Sequence, residues 1–233
     1  WHRHQQEALV IGVTGSVGKT STREMIYAVL SQSHTGTRSR KNYNNEIGLP
    51  LSLLDISNHD DFAVLEMGAG QVGDIRDLCD LASPEIGVIT TIAPAHLSSF
   101  GDLATVAQAK GELLEALPPH GFCVLNGDDE QVSHLARRAT CRTIFVGEQA
   151  HNELIATEVT VFQGRLQFVV DQQRYLVPAL GRHTLTAALT ALAIGREIGM
   201  TPRDMAAGIL NFVPAPGRCQ ILPIGTWTVI NDT

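Results

Sequence analysis

Apolar residues in this chain gather in short unbroken runs: Ala8 to Val13, Phe62 to Met67, Glu85 to Thr91, Gly121 to Asn126 and Arg142 to Val146. Runs apolar on both faces read as strands buried on both sides, the mark of a parallel sheet covered by helices. Helix-compatible stretches lie between them, at about Lys19 to Ser31, Glu46 to Leu54, Val72 to Leu81, Leu103 to Leu117 and Glu130 to Ala139. The alternation predicts an α/β fold, a mostly parallel sheet flanked by helices, with ligands gathering at the carboxyl ends of the strands.

After Gly147 the pattern shortens. Ile155 to Phe162, Arg165 to Val170 and Gln173 to Val177 are strand-like and are separated by Gln163-Gly164 and Asp171-Gln172, which predicts an antiparallel meander. Helices are expected over Thr184 to Ile198 and Pro202 to Asn211, followed by a strand pair over Cys219 to Ile224 and Thr226 to Ile230. The pattern divides the chain into a linker (1–7), an α/β core (8–147), a small antiparallel β subdomain (148–180) and a closing region of helices and strands (181–233). Val229 to Thr233 ends as a strand with no turn or cap, and the first residues are equally abrupt. We therefore expect one module of a longer protein.

The chemistry begins at the end of the first run. Thr14-Gly15-Ser16-Val17-Gly18-Lys19-Thr20 follows a strand and opens a helix. Small residues there let backbone N–H groups converge on phosphate oxygens, Lys19 can reach the outer phosphates, and the Thr20 hydroxyl suits magnesium. The usual phosphate-loop spacing is not met, because Val13 stands five positions before Gly18. The ordinary alternative is a glycine-rich turn beside a surface lysine.

Two further residues are placed on the same rim, and a helix lysine and a basic loop are candidates by residue type. Glu66 ends the buried Phe62 to Met67 run, and a carboxylate among apolar residues is costly unless paired or metal-bound. As a lone acid it has a structural reading too. His96, in Ala95-His96-Leu97, follows the strand ending near Thr91, whereas the remaining histidines show no metal-ligand spacing. Lys110 sits in Ala109-Lys110-Gly111-Glu112 on a predicted helix and taken alone reads as a solvated lysine. The stretch Arg38, Arg40, Lys41 and Asn42-Tyr43-Asn44-Asn45 is a basic, amide-rich loop suited either to an anionic substrate or to plain solvation.

Composition narrows the classes. With 233 residues, 44% of them hydrophobic, the chain can bury a large core, and a net charge of −7 without a basic, aromatic-interleaved stripe argues against nucleic-acid binding. Cys79, Cys123, Cys141 and Cys219 form no CxxC pair, so reduced thiols in the core are expected rather than a zinc site or disulfide framework. No apolar run approaches the roughly 20 residues of a membrane helix and no signal-peptide plan is present, which makes the cytoplasm the default location and membrane insertion unexpected.

Taken in order, these motifs resemble the central ATP-binding domain of the Mur ligases, over nearly the whole chain. The resemblance rests on Gly12 to Thr20, Lys41 to Gly48, Leu65 to Ala69, Ala95-His96-Leu97 with Phe100-Gly101, Ala109 to Glu112, and Pro216-Gly217-Arg218. Thr-Gly-x-x-Gly-Lys-Thr is the loop form of that family, which accounts for Val13. The Asn-Asn-Glu-Ile-Gly and Ala-Lys-Gly-Glu elements point to the branch that adds a dipeptide.

The resemblance implies that ATP phosphorylates the carboxylate ending a UDP-linked muramoyl tripeptide and that the amine of D-alanyl-D-alanine displaces phosphate. It implies ATP contacts from Thr14 to Thr20 and from Arg218, magnesium held by Thr20 and Glu66, a second metal contact from His96, and a carbamate on Lys110 able to ligate metal. Lys19, His96 and Lys110 would be catalytic, and Asn44 and Asn45 would touch the acceptor substrate. An N-terminal domain gripping the uridine nucleotide and a C-terminal domain closing over ATP are implied as partners. Thr184 and Ala187 depart from the asparagines that the family uses for adenine. The competing readings are a module that binds or hydrolyses nucleotide without forming amides, another ligase of the Mur or folylpolyglutamate type, and a non-catalytic relic that keeps only the fold.

Overall fold

A computed structural model describes residues 3, 6–94, 100–225 and 227–232. Its main sheet takes β1 (Leu9–Thr14), β2 (Gly36–Arg38), β3 (Phe62–Glu66), β4 (Ile86–Ile89), β5 (Phe122–Asn126), β6 (Arg142–Gly147) and β7 (Leu154–Ile155) in the order β2-β3-β1-β4-β5-β6-β7. Every neighbouring pair is parallel. Among the described residues the α-helices of the site and core include α1 (Lys19–Leu30), α2 (Gly48–Leu54), α3 (Asp74–Ala82), α4 (Leu103–Ala116), α5 (Glu130–Leu135), α6 (Thr184–Glu197) and α7 (Pro202–Leu210).

The continuous apolar strands feed two cores. On one face Ile11, Val13, Phe62 and Val64 pack with Met25, Ile26 and Val29 of α1, with Leu189 and Leu192 of α6, and with Met205 and Ile209 of α7. On the other face Val10, Ala63 and Leu65 meet Leu49 of α2, Ile75 and Leu78 of α3, Leu113 and Leu114 of α4, and Val132 of α5. Successive strand residues thus enter opposite cores, as a strand's period of two requires.

The expected meander is present as β8 (Thr157–Phe162), β9 (Arg165–Val170) and β10 (Gln173–Val177), antiparallel in the order β10-β9-β8. Leu166, Phe168, Tyr175 and Val177 on its inner face join the first core. The strand pair near the end is β11 (Gln220–Ile224) with β12 (Trp227–Asn231), antiparallel.

Two edges of the main sheet escaped the hydrophobic pattern. β2 is Gly-Thr-Arg and only half-buried, and β7 is two residues long, so neither forms an apolar run. Ile155 accordingly belongs to the parallel sheet and not to the meander. α2 and α3 start two residues later than expected, at Gly48 and Asp74. Cys79 and Cys123 are buried, as expected of core thiols, but Cys141 and Cys219 are only partly so; all four are free.

The topology fixes the site. β1 lies between β3 and β4, and the register pairs Val13 with Glu66. The carboxylate ending β3 therefore stands beside the residue that enters the glycine loop, at the crevice where strand order reverses.

Candidate functional site

The glycine loop is a strapped, left-handed turn. Gly15 has φ +145 and Gly18 φ +89, and a Cβ on Gly15 would stand 2.0 Å from the Thr90 hydroxyl oxygen, so this path excludes a side chain. The Thr14 hydroxyl donates to the Met67 carbonyl at 2.8 Å and the Thr90 hydroxyl donates to the Val17 carbonyl at 2.6 Å. Ser16 is engaged with the loop after β4 through both its groups: its N–H donates to the Thr91 carbonyl at 2.7 Å, and its hydroxyl donates to the Ala93 carbonyl at 2.9 Å while accepting the Ala93 N–H at 3.0 Å. Val17 is exposed.

Helix α1 begins at this loop with Gly18 as its N-cap, no side-chain cap and no acidic residue in its first turn. A helix N-terminus without its own acceptor, at the carboxyl rim of a parallel sheet, is a site for an anion. The Lys19 ammonium folds over the loop and donates to the Gly15 carbonyl at 2.8 Å. Burial lowers the Lys19 pKa, Glu66 opposes that shift, and the nearby Arg218 charge reinforces it.

Glu66 is 3% exposed and is held on both oxygens. Its Oε2 accepts from the Thr20 hydroxyl at 2.9 Å and from Arg23 Nη1 at 3.2 Å, and its Oε1 accepts from Asn44 Nδ2 at 2.9 Å. The Asn44 carbonyl accepts the Gly68 N–H at 2.7 Å, which ties the Asn42 to Asn45 segment to the end of β3. Asn45 has a local task as well, its side-chain oxygen accepting the Gly48 N–H at 2.9 Å where α2 begins.

Arg23 was missed by the sequence reading. Its signal was position: it lies three residues after Thr20 on α1, and residues so spaced share a helix face.

Lys110 lies on α4 and is 4% exposed, not solvated as its helix position alone suggested. Its pKa is lowered to about 8, chiefly by burial and then by the charge of Lys19. Lys19, Lys110 and Arg218 are thus within electrostatic reach around one loop. Such a gathering of cations suits a polyanion.

Other expected residues fall elsewhere. His96 lies outside the described residues. Arg38 is spent on Glu24 at 2.8 Å and stacks 3.8 Å over the Tyr27 ring, and Arg40 pairs with Asp55 at 2.8 Å, so both serve contacts within the chain. Thr184 and Ala187 are buried at the start of α6, where the Thr184 hydroxyl donates to the Gly181 carbonyl at 2.9 Å.

Among the described residues no group of three or more His, Cys, Asp or Glu side chains stands ready to enclose a metal. The hydroxyl of Thr20 and the carboxylate of Glu66 are nonetheless the hard oxygen donors that magnesium prefers, and they meet beside the anion loop. A metal there would draw its remaining ligands from phosphate oxygens and water.

A parallel sheet in this strand order, with a glycine loop after β1 and a buried acid ending β3, defines a P-loop-type α/β domain. Comparison with known proteins gives the particular kind: residues 13–195 match the Mur ligase middle domain, and the chain belongs to that family. Its relatives include the UDP-N-acetylmuramoyl-tripeptide–D-alanyl-D-alanine ligases of Escherichia coli, 36% identical over 94% of this chain and 50% of that protein, and of Bacillus subtilis, 34% identical over 96% and 49%. Among solved structures, MurF from Acinetobacter baumannii superposes with a TM-score of 0.94 at 28% identity, covering all of this chain and 52% of that one. The MurF ligase from Thermotoga maritima, in complex with ADP, gives 0.86 at 27% identity, covering all of this chain and 55% of that one. The chain spans about half the length of the curated relatives it matches.

Proposed function

We propose that this chain is the ATP-using module of an amide ligase of peptidoglycan precursor synthesis, acting on a UDP-N-acetylmuramoyl-tripeptide and D-alanyl-D-alanine. The observation that carries the reading is the buried Glu66 carboxylate, gripped from one side by Thr20 of the phosphate loop and from the other by Asn44. It joins the nucleotide half of the rim to the half where an acceptor carboxylate would lie. The names of the relatives support the substrates.

A free carboxylate resists amines because oxide is a poor leaving group. Transfer of the γ-phosphoryl group of ATP to a carboxylate oxygen releases ADP and creates a good one. The amine nitrogen then forms a bond to the carbonyl carbon, the carbon–oxygen bond to phosphate breaks, and the nitrogen sheds a proton. A site for this chemistry positions and neutralises anions, with no need of a protein nucleophile.

In this reading Thr14 to Thr20 embrace the phosphates, Lys19 steadies the outer ones, and Arg218 adds positive charge. Thr20 and Glu66 would hold a magnesium ion, which when bound offsets phosphate charge. Lys110, with an amine shifted toward neutrality, is suited to take up CO₂ as a carbamate and offer oxygen ligands to a metal, for which His96 is a further candidate by its motif. Asn44 and Asn45 border the acceptor. The flanking domains would supply the grip on the uridine nucleotide and closure over ATP, and the cytoplasm is where these substrates would meet. No helix among the described residues is long and apolar enough to cross a membrane.

The test is a chimera in which this chain replaces the matching half of the Escherichia coli ligase. Release of ADP that requires both the muramoyl tripeptide and D-alanyl-D-alanine is expected. ADP release indifferent to both would show a nucleotide-hydrolysing module and overturn the ligase reading.

A further inference from the structure

Arg23 is 3% exposed, and one guanidinium serves three partners. Nη1 donates to Glu66 Oε2 at 3.2 Å and to the Lys41 carbonyl at 2.6 Å, while Nε and Nη2 meet Glu24 Oε1 at 3.2 and 2.7 Å. The middle contact stands out because Lys41 has φ +45, a left-handed conformation that a residue with a Cβ adopts at a cost. The turn around it is short: the Tyr43 N–H donates to the Arg40 carbonyl at 2.9 Å and the Asn44 N–H to the Asn42 carbonyl at 2.8 Å. Asn44 then places its amide on Glu66 and its carbonyl on the Gly68 N–H.

We propose that Arg23 is a positioning residue that holds the strained Lys41 turn in place and thereby sets the Asn44 segment against Glu66, coupling the phosphate-loop helix to the acceptor side of the site. The inference rests on the functional reading above for what the two sides bind. Its structural core, the latch itself, stands without a ligand.

The planar fork of arginine is what the task demands. It reaches a carboxylate and a carbonyl from one nitrogen while its other nitrogens stay on Glu24. Lysine offers a single ammonium point charge and cannot span that triangle. Because Arg23 belongs to the helix that starts at the phosphate loop, any shift of that helix is passed to the Asn44 segment through the same group. The packing of α1 into the first core keeps that helix rigid enough to transmit it.

Amide hydrogen exchange of the whole chain without ligand tests the latch. Arg23→Lys, which keeps a positive charge between Glu24 and Glu66, is expected to speed exchange at Tyr43, Asn44 and Gly68 by about tenfold, with Val88 and Val124 in the sheet centre within about twofold of the parent. Glu24→Ala, which removes the partner on the other arm of the guanidinium, is expected to leave the three amides within about twofold. Unchanged exchange at the three amides in Arg23→Lys would overturn the proposal. So would a rise shared by all amides, which marks general loosening, or equal effects from the two variants. Nucleotide titration is not involved, so failure here is distinguishable from failure of the ligase reading.

Discussion

Single residues decide whether this rim is a phosphate site. Gly15→Ala puts a methyl group 2.0 Å from the Thr90 hydroxyl oxygen at φ +145, so the loop must open; we expect nucleotide binding to fall at least about 100-fold in calorimetry, with stability lowered by about 1–3 kcal/mol. Lys110 makes a second prediction. Its folded pKa of about 8 lies below the ordinary lysine value of 10.5, so the unfolded chain binds the proton more tightly, and stability rises as pH climbs from about 8 toward 10.5. Lys110→Met removes the titrating group and should flatten that rise, worth on the order of 3 kcal/mol, in denaturant titrations at pH 7 and 10 with bicarbonate excluded. An unchanged pH slope would reject the assignment. At this scale the sequence revealed residue types better than their surroundings. The rim positions of Lys19, Thr20 and Glu66 followed from strand ends, because a strand's carboxyl end is visible as the close of an apolar run. Arg23 and the burial of Lys110 were hidden, since burial of a helix residue depends on what packs across from it.

At the scale of elements, the strands were legible wherever both faces were apolar. β2 and β7 were lost because edge strands are short and half-solvated, and their pairing is set by the neighbour rather than by their own residues. The helix ends were less legible than the helices. α3 shows why: Gly73 at its N-cap has no side chain to bond the first turn, and the missing acceptor comes from another helix. Glu112 of α4, only 1% exposed, accepts the N–H groups of Gly73 at 2.8 Å and Arg76 at 3.1 Å. This cap supplied from a distance locks α3 to the helix carrying Lys110 and is invisible in the local sequence of either. Glu112→Ala should leave two part-buried donors without their acceptor and cost about 1–2 kcal/mol, read as a lower denaturant midpoint with an unchanged slope. Glu112→Gln retains one acceptor oxygen and should lose about half as much. A change below about 0.5 kcal/mol for the alanine variant would show the cap to be unimportant.

For the whole molecule, the two cores bind sheet, helices and meander into one body, and the parallel strands bring the loops that follow their carboxyl ends to one rim. The order of motifs made the family legible; of these, Gly12 to Thr20 and Leu65 to Ala69 fall at the ends of β1 and β3, and Ala109 to Glu112 falls on α4. The topology that gathers them lay beyond periodicity, since strand order depends on crossovers and not on local pattern. The account stands or falls on whether the rim binds nucleotide with magnesium through Lys19 and Glu66. The most direct measurement is isothermal titration of the chain with ATP, with and without magnesium, alongside Lys19→Ala. We predict binding strengthened by magnesium and weakened at least about tenfold by the substitution, a loss of about 1.4 kcal/mol or more, with the thermal midpoint of the unliganded variant near that of the parent. Binding indifferent to both magnesium and Lys19, or no binding at millimolar ATP, would contradict it.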